Sequence, residues 1–452
     1  MDRTPGRLVA RVREAAGGRW PAGVRLVLAA SGGGDSTAMV ALLCEAGLVA
    51  PGSAVVAHFD HRLRGAEAAA RERAAVDALC ARYGLPLEAG AWDAPCAGEA
   101  AARSARYAFL RAVAGRCGAA AVVTGHTADD QAETVVMHSL RGAGLHGLAG
   151  MAADAPWPSG AGPRLLRPLL GVSRAETRAC CAAMSLVYAD DPTNEEPAFL
   201  RNRVRHELLP RIEAAAPGAR EALLRLADDA RACAAALDAA AAPALLDDAP
   251  HDGLVCLSRD ALRALPPGVA PYAYRLAIIR LLGDARDIER RHYALLERAA
   301  AAGTGSRFDL PRGLVVTVDP DAVVVSAGAP RAVAVDPSLA MPLPFGGVAG
   351  AWSLRVTPAA GVRGEALRLP AGAVVRGRRP GDRLQPAGMR GHKKLQDYYT
   401  DRKVPRRERD TAPVIALGAD VLWTPFGAAA DAGTGAAYHV WCERAAAVAI
   451  DP

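Results

Sequence analysis

At 452 residues the chain is too long for one ordinary core, and roughly 150 residues per domain predicts about three domains. Its hydrophobic share is 51% and its charged share 23%, the balance of a soluble globular protein, and no uninterrupted run of 18 apolar residues is available to span a membrane. The formal charge is +6, but twelve Lys or Arg against four Asp or Glu lie between Arg376 and Arg409, so the rest of the chain sums to −2.

The arginine-punctuated segment Met1–Arg19 reads as a short amphipathic helix and not as a signal peptide, so a cytoplasmic location is expected. Arg25–Ala30 is a short apolar strand ending in a glycine-rich turn, and Ser36–Ala46 has the spacing of a helix. A strand (Ala54–Phe59), a helix (Ala66–Tyr83, stopped by Gly84 and Pro86) and a third strand (Leu87–Ala91) follow. A helix over Glu99–Cys117, a strand over Ala119–Thr124 and a helix over Thr127–Leu140 complete the alternation. Such alternation predicts an α/β, Rossmann-type domain with a parallel sheet covered on both faces. Ligands of such sheets bind outside the carboxyl ends of the strands, which singles out the loops Ser31–Ser36, His58–Arg64 and Gly125–Gln131.

Met151–Pro163 is expected to be irregular, and Ser173–Met184 and Phe199–Leu209 helical. Ala-rich Glu221–Ala241 suits a linker helix, and Leu254–Val318 reads as helices followed by short strands. The Pro-, Gly-, Ala- and Val-rich stretch Asp319–Gly350 suggests a boundary. The expected division is a catalytic parallel-sheet domain over 1–215, a helical or mixed middle domain over 216–330 and a small α+β domain over 331–452. The nine cysteines are scattered and form no C-x-x-C pair, which removes zinc ribbons and thioredoxin-like centres from consideration. Free thiols in a reducing compartment are expected instead.

The segment S-G-G-G-D-S, Ser31–Ser36, lies between a strand and a helix. Gly32, Gly33 and Gly34 let the backbone approach a ligand closely. The helix that follows offers unpaired N–H groups and a partial positive charge, an anion site to which the Ser31 and Ser36 hydroxyls add. A carboxylate beside phosphates is repulsive unless it holds a hard cation, so Asp35 is expected to anchor Mg2+. In G-H-T-A-D-D-Q-A-E-T (Gly125–Thr134), Asp129 and Glu133 are four apart on one helix face and can bind a cation or an ammonium group. Arg201 and Arg205 are likewise i and i+4, directed the same way and suited to phosphate. The three lysines of the chain, Lys393, Lys394 and Lys403, all fall in the basic C-terminal stretch with Arg406 and Arg407, which points to a polyanion partner.

The Ser31–Ser36 turn resembles the S-G-G-x-D-S signature of the N-type ATP pyrophosphatases, a resemblance that implies ATP, an adenylate intermediate and release of pyrophosphate. More specific segments resemble the tRNA(Ile)-lysidine synthetase family. They are H-F-D-H-R-L-R-G (His58–Gly65), E-A-A-A-R-S-A-R-Y-A-F-L (Glu99–Leu110), Gly125–Thr134 and R-G-A-G-L-H-G-L-A-G-M (Arg141–Met151). L-L-R-P-L-L (Leu165–Leu170), D-P-T-N (Asp191–Asn194) and R-N-R-V-R-H-E-L-L-P (Arg201–Pro210) fit as well, while Thr127 stands where the family more often has Asn. The stretch Arg379–Asp410 resembles the C-terminal domain of the longer members. The resemblance covers most of 20–215 and about 365–430, and the middle only loosely.

What the resemblance implies is ligation of free L-lysine to carbon-2 of the wobble cytidine of tRNA(Ile) with a CAU anticodon. ATP and Mg2+ would sit on the glycine turn, and Asp129 with Glu133 would position or deprotonate the lysine amine. His126 and Arg205 would support adenylation. Arg201, Arg205, Lys393, Lys394, Lys403, Arg406 and Arg407 would contact tRNA, no membrane is involved, and room is left for a homodimer. The nearest alternative is a tRNA thiolase of the same superfamily, for which the vicinal Cys180–Cys181 pair is the one feature. A small-molecule amidotransferase leaves the basic C-terminal stretch unexplained, and a non-catalytic RNA-binding protein leaves the nucleotide turn unexplained.

Overall fold

In the computed structural model the described residues are 4–17, 24–62, 65–92, 99–158, 162–189, 200–246, 253–328, 335–350, 352–358, 365–386, 389, 391–429 and 435–444. The chain divides into two compact units, Met1–Ala236 and Leu237–Pro452.

In chain order the first unit runs α1 (Thr4–Ala16), β1 (Leu26–Ala29), α2 (Gly34–Glu45), β2 (Ala54–Asp60), α3 (Ala66–Tyr83) and β3 (Leu87–Ala91). It continues with α4 (Glu99–Cys117), β4 (Ala121–Thr124), α5 (Ala128–Leu140), α6 (Leu145–Leu148), β5 (Asp154–Ala155), β6 (Arg164–Leu166) and α7 (Arg174–Ala183). Helices α8 (Leu200–Arg203), α9 (Leu209–Ala215) and α10 (Ala219–Ala241) follow, with a π-helical turn, Val204–Leu208, between α8 and α9.

The six strands stand in the order β3-β2-β1-β4-β6-β5. All are parallel except the two-residue edge strand β5, which pairs antiparallel with β6. Both faces are covered, which explains the near-continuous apolar strands L-V-L-A and A-V-V-T. Leu26, Leu28, Val56 and Val123 face one core with α2, α3 and α7. Val27, Val55, Val122 and Leu165 face the other, with Tyr107, Leu110 and Val113 of α4 and with Trp157. The strand order reverses between β1 and β4, and that switch point opens the crevice in which such sheets bind ligands.

The expected strands and helices of the first 150 residues are all observed, with ends moved by up to three residues. Met151–Pro163 is less irregular than expected, since it contributes β5, and β6 directly after it is a strand that three residues were too few to announce. The helix expected over Phe199–Leu209 is broken by the π turn.

In the second unit the strands Leu254–Ser258, Ala322–Ala327, Leu314–Val318 and Arg307–Asp309 form an antiparallel sheet in that order. Helices Ala270–Leu282 and Arg290–Glu297 share a core with it. Ala322–Ala327, read from composition as part of a boundary, is a buried inner strand of that sheet, because its V-V-V run is core and not linker. Further on, two mostly antiparallel sheets pack Val375, Ile415 and Trp423 against Leu354, Val356 and Val440. Short helices Leu395–Asp401 and Arg406–Arg409 accompany them.

Candidate functional site

The β1–α2 turn is held by its own hydroxyls. The Ser36 hydroxyl donates to the Gly33 carbonyl at 2.9 Å and accepts the Ser31 N–H at 3.2 Å, so the amides that open α2 stay directed outward. Gly32 has φ +91°, and a Cβ there would meet the Glu72 carbonyl oxygen at 2.8 Å. Only glycine satisfies both conditions. Gly125, at the end of β4, would place a Cβ 3.0 Å from the Asp35 carbonyl oxygen, so its lack of a side chain lets the β4–α5 loop abut the turn. Behind the turn, buried His58 bonds the Ala30 carbonyl through Nδ1 at 3.0 Å. A carbonyl only accepts, so Nδ1 carries the proton. Tyr188 lies over Gly34, and the Ala189 N–H donates to the Gly32 carbonyl at 2.9 Å.

Beside this turn four carboxylates meet four arginines. Asp35 accepts the Thr177 hydroxyl at 2.5 Å and Arg174 Nε at 3.2 Å. Burial pushes the Asp35 carboxyl above the usual range, and these two partners only partly offset it. Asp130 accepts the Thr127 N–H at 2.9 Å as the acidic half of a capping box at the start of α5. Its other oxygen meets Arg174, Arg201 and Arg205 at 3.2–3.3 Å. Burial opposes the Asp130 charge, but Arg174 and Arg201 prevail and hold the carboxyl below its ordinary value. Glu133, 1% exposed, accepts Arg201 Nε at 2.9 Å and Arg205 Nε at 2.6 Å. Asp129 accepts the Arg174 N–H at 2.7 Å and Arg220 at 2.6 Å.

The structure therefore brings together Asp35, Asp129, Glu133, Arg201 and Arg205 from the sequence reading, but in different partnerships. Asp129 and Glu133 do not present a bare acidic face. A carboxylate as buried as Glu133 requires opposite charge in contact, and Arg201 and Arg205 supply it. The π turn makes this grip possible. Val204 and Leu209 both pack on Ala132 and Val136 of α5, although residues five apart on a regular α-helix diverge by about 140°. The i→i+5 winding brings them back into line while Arg201 and Arg205 reach Glu133.

Asp130, Arg174, Thr177 and Arg220 were not singled out by sequence. Thr127 followed three residues later by Asp130 is a capping-box signal that could have found Asp130. Arg174 had no such signal, since its partners lie 139 and 44 residues away. His126 pairs with the Thr124 hydroxyl at 2.9 Å. Burial lowers its pKa to about 3, helped by Arg167, Arg106 and Arg103 against the opposing pull of Asp130, so the ring is neutral near pH 7. Gln131 pins the segment after α6, bonding the Ala149 and Met151 carbonyls and the Met151 N–H at 2.8–3.3 Å. The D-P-T-N segment, Asp191–Asn194, lies outside the described residues.

Cys180 and Cys181 are buried. The Cys181 thiol donates to the Gly34 carbonyl at 3.4 Å, and burial pushes it up to about 12. A thiol held this far from ionisation is packing behind the turn and not a nucleophile.

In the second unit the basic stretch is partly neutralised from within. Arg376 is buried and paired with buried Asp382 at 2.8 Å, Arg378 meets Asp410 and Arg383 meets Asp420. Lys393 pairs with Asp401, whereas the side chains of Lys394 and Lys403 are exposed. Arg406 and Arg407 lie on the short helix Arg406–Arg409, and their side chains are outside the described residues.

Residues 11–212 match the family model of the PP-loop domain, and residues 373–441 that of the TilS substrate C-terminal domain. The parallel sheet, with its glycine turn at the switch point, makes this a PP-loop enzyme that uses ATP. A tRNA(Ile)-lysidine synthase of Geobacter sulfurreducens is 36% identical over 436 residues, covering 90% of this chain and 89% of that one. Another from Streptomyces coelicolor is 41% identical over 320 residues, covering 68% of this chain and 87% of the relative. The chain belongs to the tRNA(Ile)-lysidine synthase family. Among solved structures, the U34-tRNA thiolase NcsA from Methanococcus maripaludis is 18% identical with a TM-score of 0.42, covering 50% of this chain and 79% of that one.

Proposed function

We propose that the chain uses ATP to join free lysine to carbon-2 of the wobble cytidine of an isoleucine tRNA with a CAU anticodon. The product, lysidine, reads AUA instead of AUG and changes the identity of the tRNA from methionine to isoleucine. The observation that carries this reading is the glycine turn at the switch point, abutting an arginine–carboxylate cluster, in a chain of this family.

The cytidine O2 attacks the α-phosphorus of ATP, pyrophosphate leaves, and the lysine ε-amine then displaces AMP from carbon-2. The α2 amides with Ser31 and Ser36 would hold the departing pyrophosphate. Each Asp35 oxygen accepts one hydrogen bond, and a carboxylate offers about four acceptor sites, so capacity remains for a cation. Asp35 thus fits Mg2+ bound through one carboxylate and the substrate phosphates; when bound, Mg2+ would neutralise charge developing on the phosphate oxygens. Of the three α5 carboxylates Asp129 has the most exposed side chain (16%, against 12% for Asp130 and 1% for Glu133), which favours it for orienting and deprotonating the lysine amine. Half-buried, neutral His126 and the arginines around Asp130 would steady the base pocket. An anticodon loop offers bases that leave their stack at low cost, and a tRNA substrate implies a cytoplasmic site of action.

Mass spectrometry of isoleucine tRNA after incubation with ATP and labelled lysine tests the reading. The expected result is a lysine-bearing cytidine, and unmodified tRNA would overturn it. Asp35→Ala is expected to slow ATP–pyrophosphate exchange by roughly a hundredfold; a normal rate would remove the metal-anchoring role. Replacing Lys393, Lys394 and Lys403 together by Ala is expected to weaken tRNA binding about tenfold and flatten its salt dependence, with a log–log slope shallower by about two. An unchanged slope would exclude this stretch from the RNA interface.

A further inference from the structure

Three hydrogen-bond donors near the crevice find no acceptor among the described residues. Arg106 Nε, Arg167 Nε and Trp157 Nε1 are buried and bonded to none of them. They gather around one ring. Arg103 and Arg106 lie over Tyr107 at 4.9 and 5.6 Å, Trp157 meets the same ring edge-on at 5.3 Å, and Arg103 also donates to the Tyr107 hydroxyl at 3.2 Å. Arg167, 6% exposed, spends one nitrogen on the Ala152 carbonyl at 2.7 Å.

The arginines of the neighbouring cluster are matched by carboxylates; among the described residues these are not. Among the described residues, the side chains acting on Arg106 and Arg167 are the neutral Tyr107 phenol and further arginines, and burial pushes both guanidinium groups below their ordinary values. Buried positive charge without an acid partner is costly. An oxyanion from outside relieves it, and guanidinium forks match the oxygens of phosphate. Arg103 is exposed and Arg106 half-buried, so the group is open to a ligand.

The position separates this site from the ATP cradle. Tyr107 and Trp157 pack on the sheet face that carries Val27 and Val122, while α2 packs on the face that carries Leu26, Leu28 and Val123. Successive strand residues point to opposite faces, so the arginines lie across the sheet from the helix that opens at the glycine turn. Both sets reach the carboxyl edge, since Arg167 directly follows β6 and the glycine turn comes just after β1.

We propose that Arg103, Arg106 and Arg167 form a binding site for a backbone phosphodiester of the RNA substrate, next to the nucleotide being modified. This rests on the reading of the chain as a tRNA-modifying enzyme. An extruded nucleotide is flanked by two phosphates that leave the helical path with it, and gripping one holds the base out over the crevice.

The test uses the full chain and Arg167→Gln. Affinity for isoleucine tRNA, by fluorescence anisotropy, is expected to fall about tenfold, with a log–log salt slope shallower by about one. ATP uptake by calorimetry and KM for lysine are expected to stay within twofold. Arg167→Lys keeps the charge and is expected to keep the slope. Should Arg167→Gln fail to fold, Arg106→Gln is measured in its place with the same expectations. Loss of ATP affinity or a raised lysine KM with an unchanged tRNA slope would assign the oxyanion to the triphosphate or to the lysine carboxylate and overturn the proposal. An unchanged slope with all three ligands unaffected would overturn it too. A wild-type chain that bound no tRNA would instead defeat the functional reading beneath it.

Discussion

Glu133→Gln is expected to destabilise the first unit by about 3 kcal/mol and to abolish lysine transfer. The wild-type carboxylate is 1% exposed and accepts Arg201 at 2.9 Å and Arg205 at 2.6 and 3.0 Å. A neutral amide keeps one acceptor and turns an NH2 towards donors, so two guanidinium groups lose their counter-charge in a poorly solvated place. Removing one member of a buried ion pair costs about 3–5 kcal/mol, and the lower end applies because both arginines retain some exposure. Arg205→Gln should cost less, about 1 kcal/mol, because Arg201 still faces Glu133. Urea unfolding of both variants gives the comparison. Equal losses would mean that the arginines are interchangeable and that Glu133 is not the organising charge.

The second large effect is expected at Gly32. Gly32→Ala should lower affinity for Mg2+–ATP at least a hundredfold, by calorimetry, because the turn must move to relieve two conflicts at once. The residue has φ +91°, and its Cβ would lie 2.8 Å from the Glu72 carbonyl oxygen and 3.0 Å from the Glu72 Cα. Those atoms are backbone within α3 and cannot give way as a side-chain tip would. Gly33 provides the control. Its φ is −77°, and a Cβ there has the Ser31 hydroxyl as its nearest neighbour at 3.6 Å, so Gly33→Ala should bind ATP within tenfold of wild type. Comparable losses at both positions would show that the turn tolerates no side chain for a reason other than its packing on α3.

The first unit was largely legible because its information is local. Apolar runs of four to seven residues alternate with helices of 12–19 residues, and glycine or a capping residue marks many of the junctions. The glycine turn was legible for the same reason, since strand, turn and helix occupy consecutive residues. Pairing was not. Spacing alone puts Asp129 and Glu133 on one helix face, but whether that face is bare or capped by arginines depends on α8 and the π turn some seventy residues later. Arg376 shows the same limit from the other side. It counted towards a basic stretch, yet it is a buried core residue tied to Asp382 and the Gly377 and Gly418 carbonyls at 2.7–2.8 Å. Charge can be counted in a sequence, but its direction is decided by tertiary packing.

The widened turn at Val204–Leu208 also sets how rigidly chain length is prescribed there. Ordinary winding with no residue lost would leave Leu209 about 140° from Val204 around the helix axis, whereas ordinary winding with one residue deleted would leave it about 40° away. In the first case Leu209 would swing off Val136, and the phase of the chain leading to Arg220 and its bond to Asp129 would be lost. A residue added between Arg201 and Leu209 would thus act as a frameshift in space, uncoupling hydrophobic contact from charge pairing even if every side chain in the segment stayed the same, whereas one removed would be taken up by closing the wide turn.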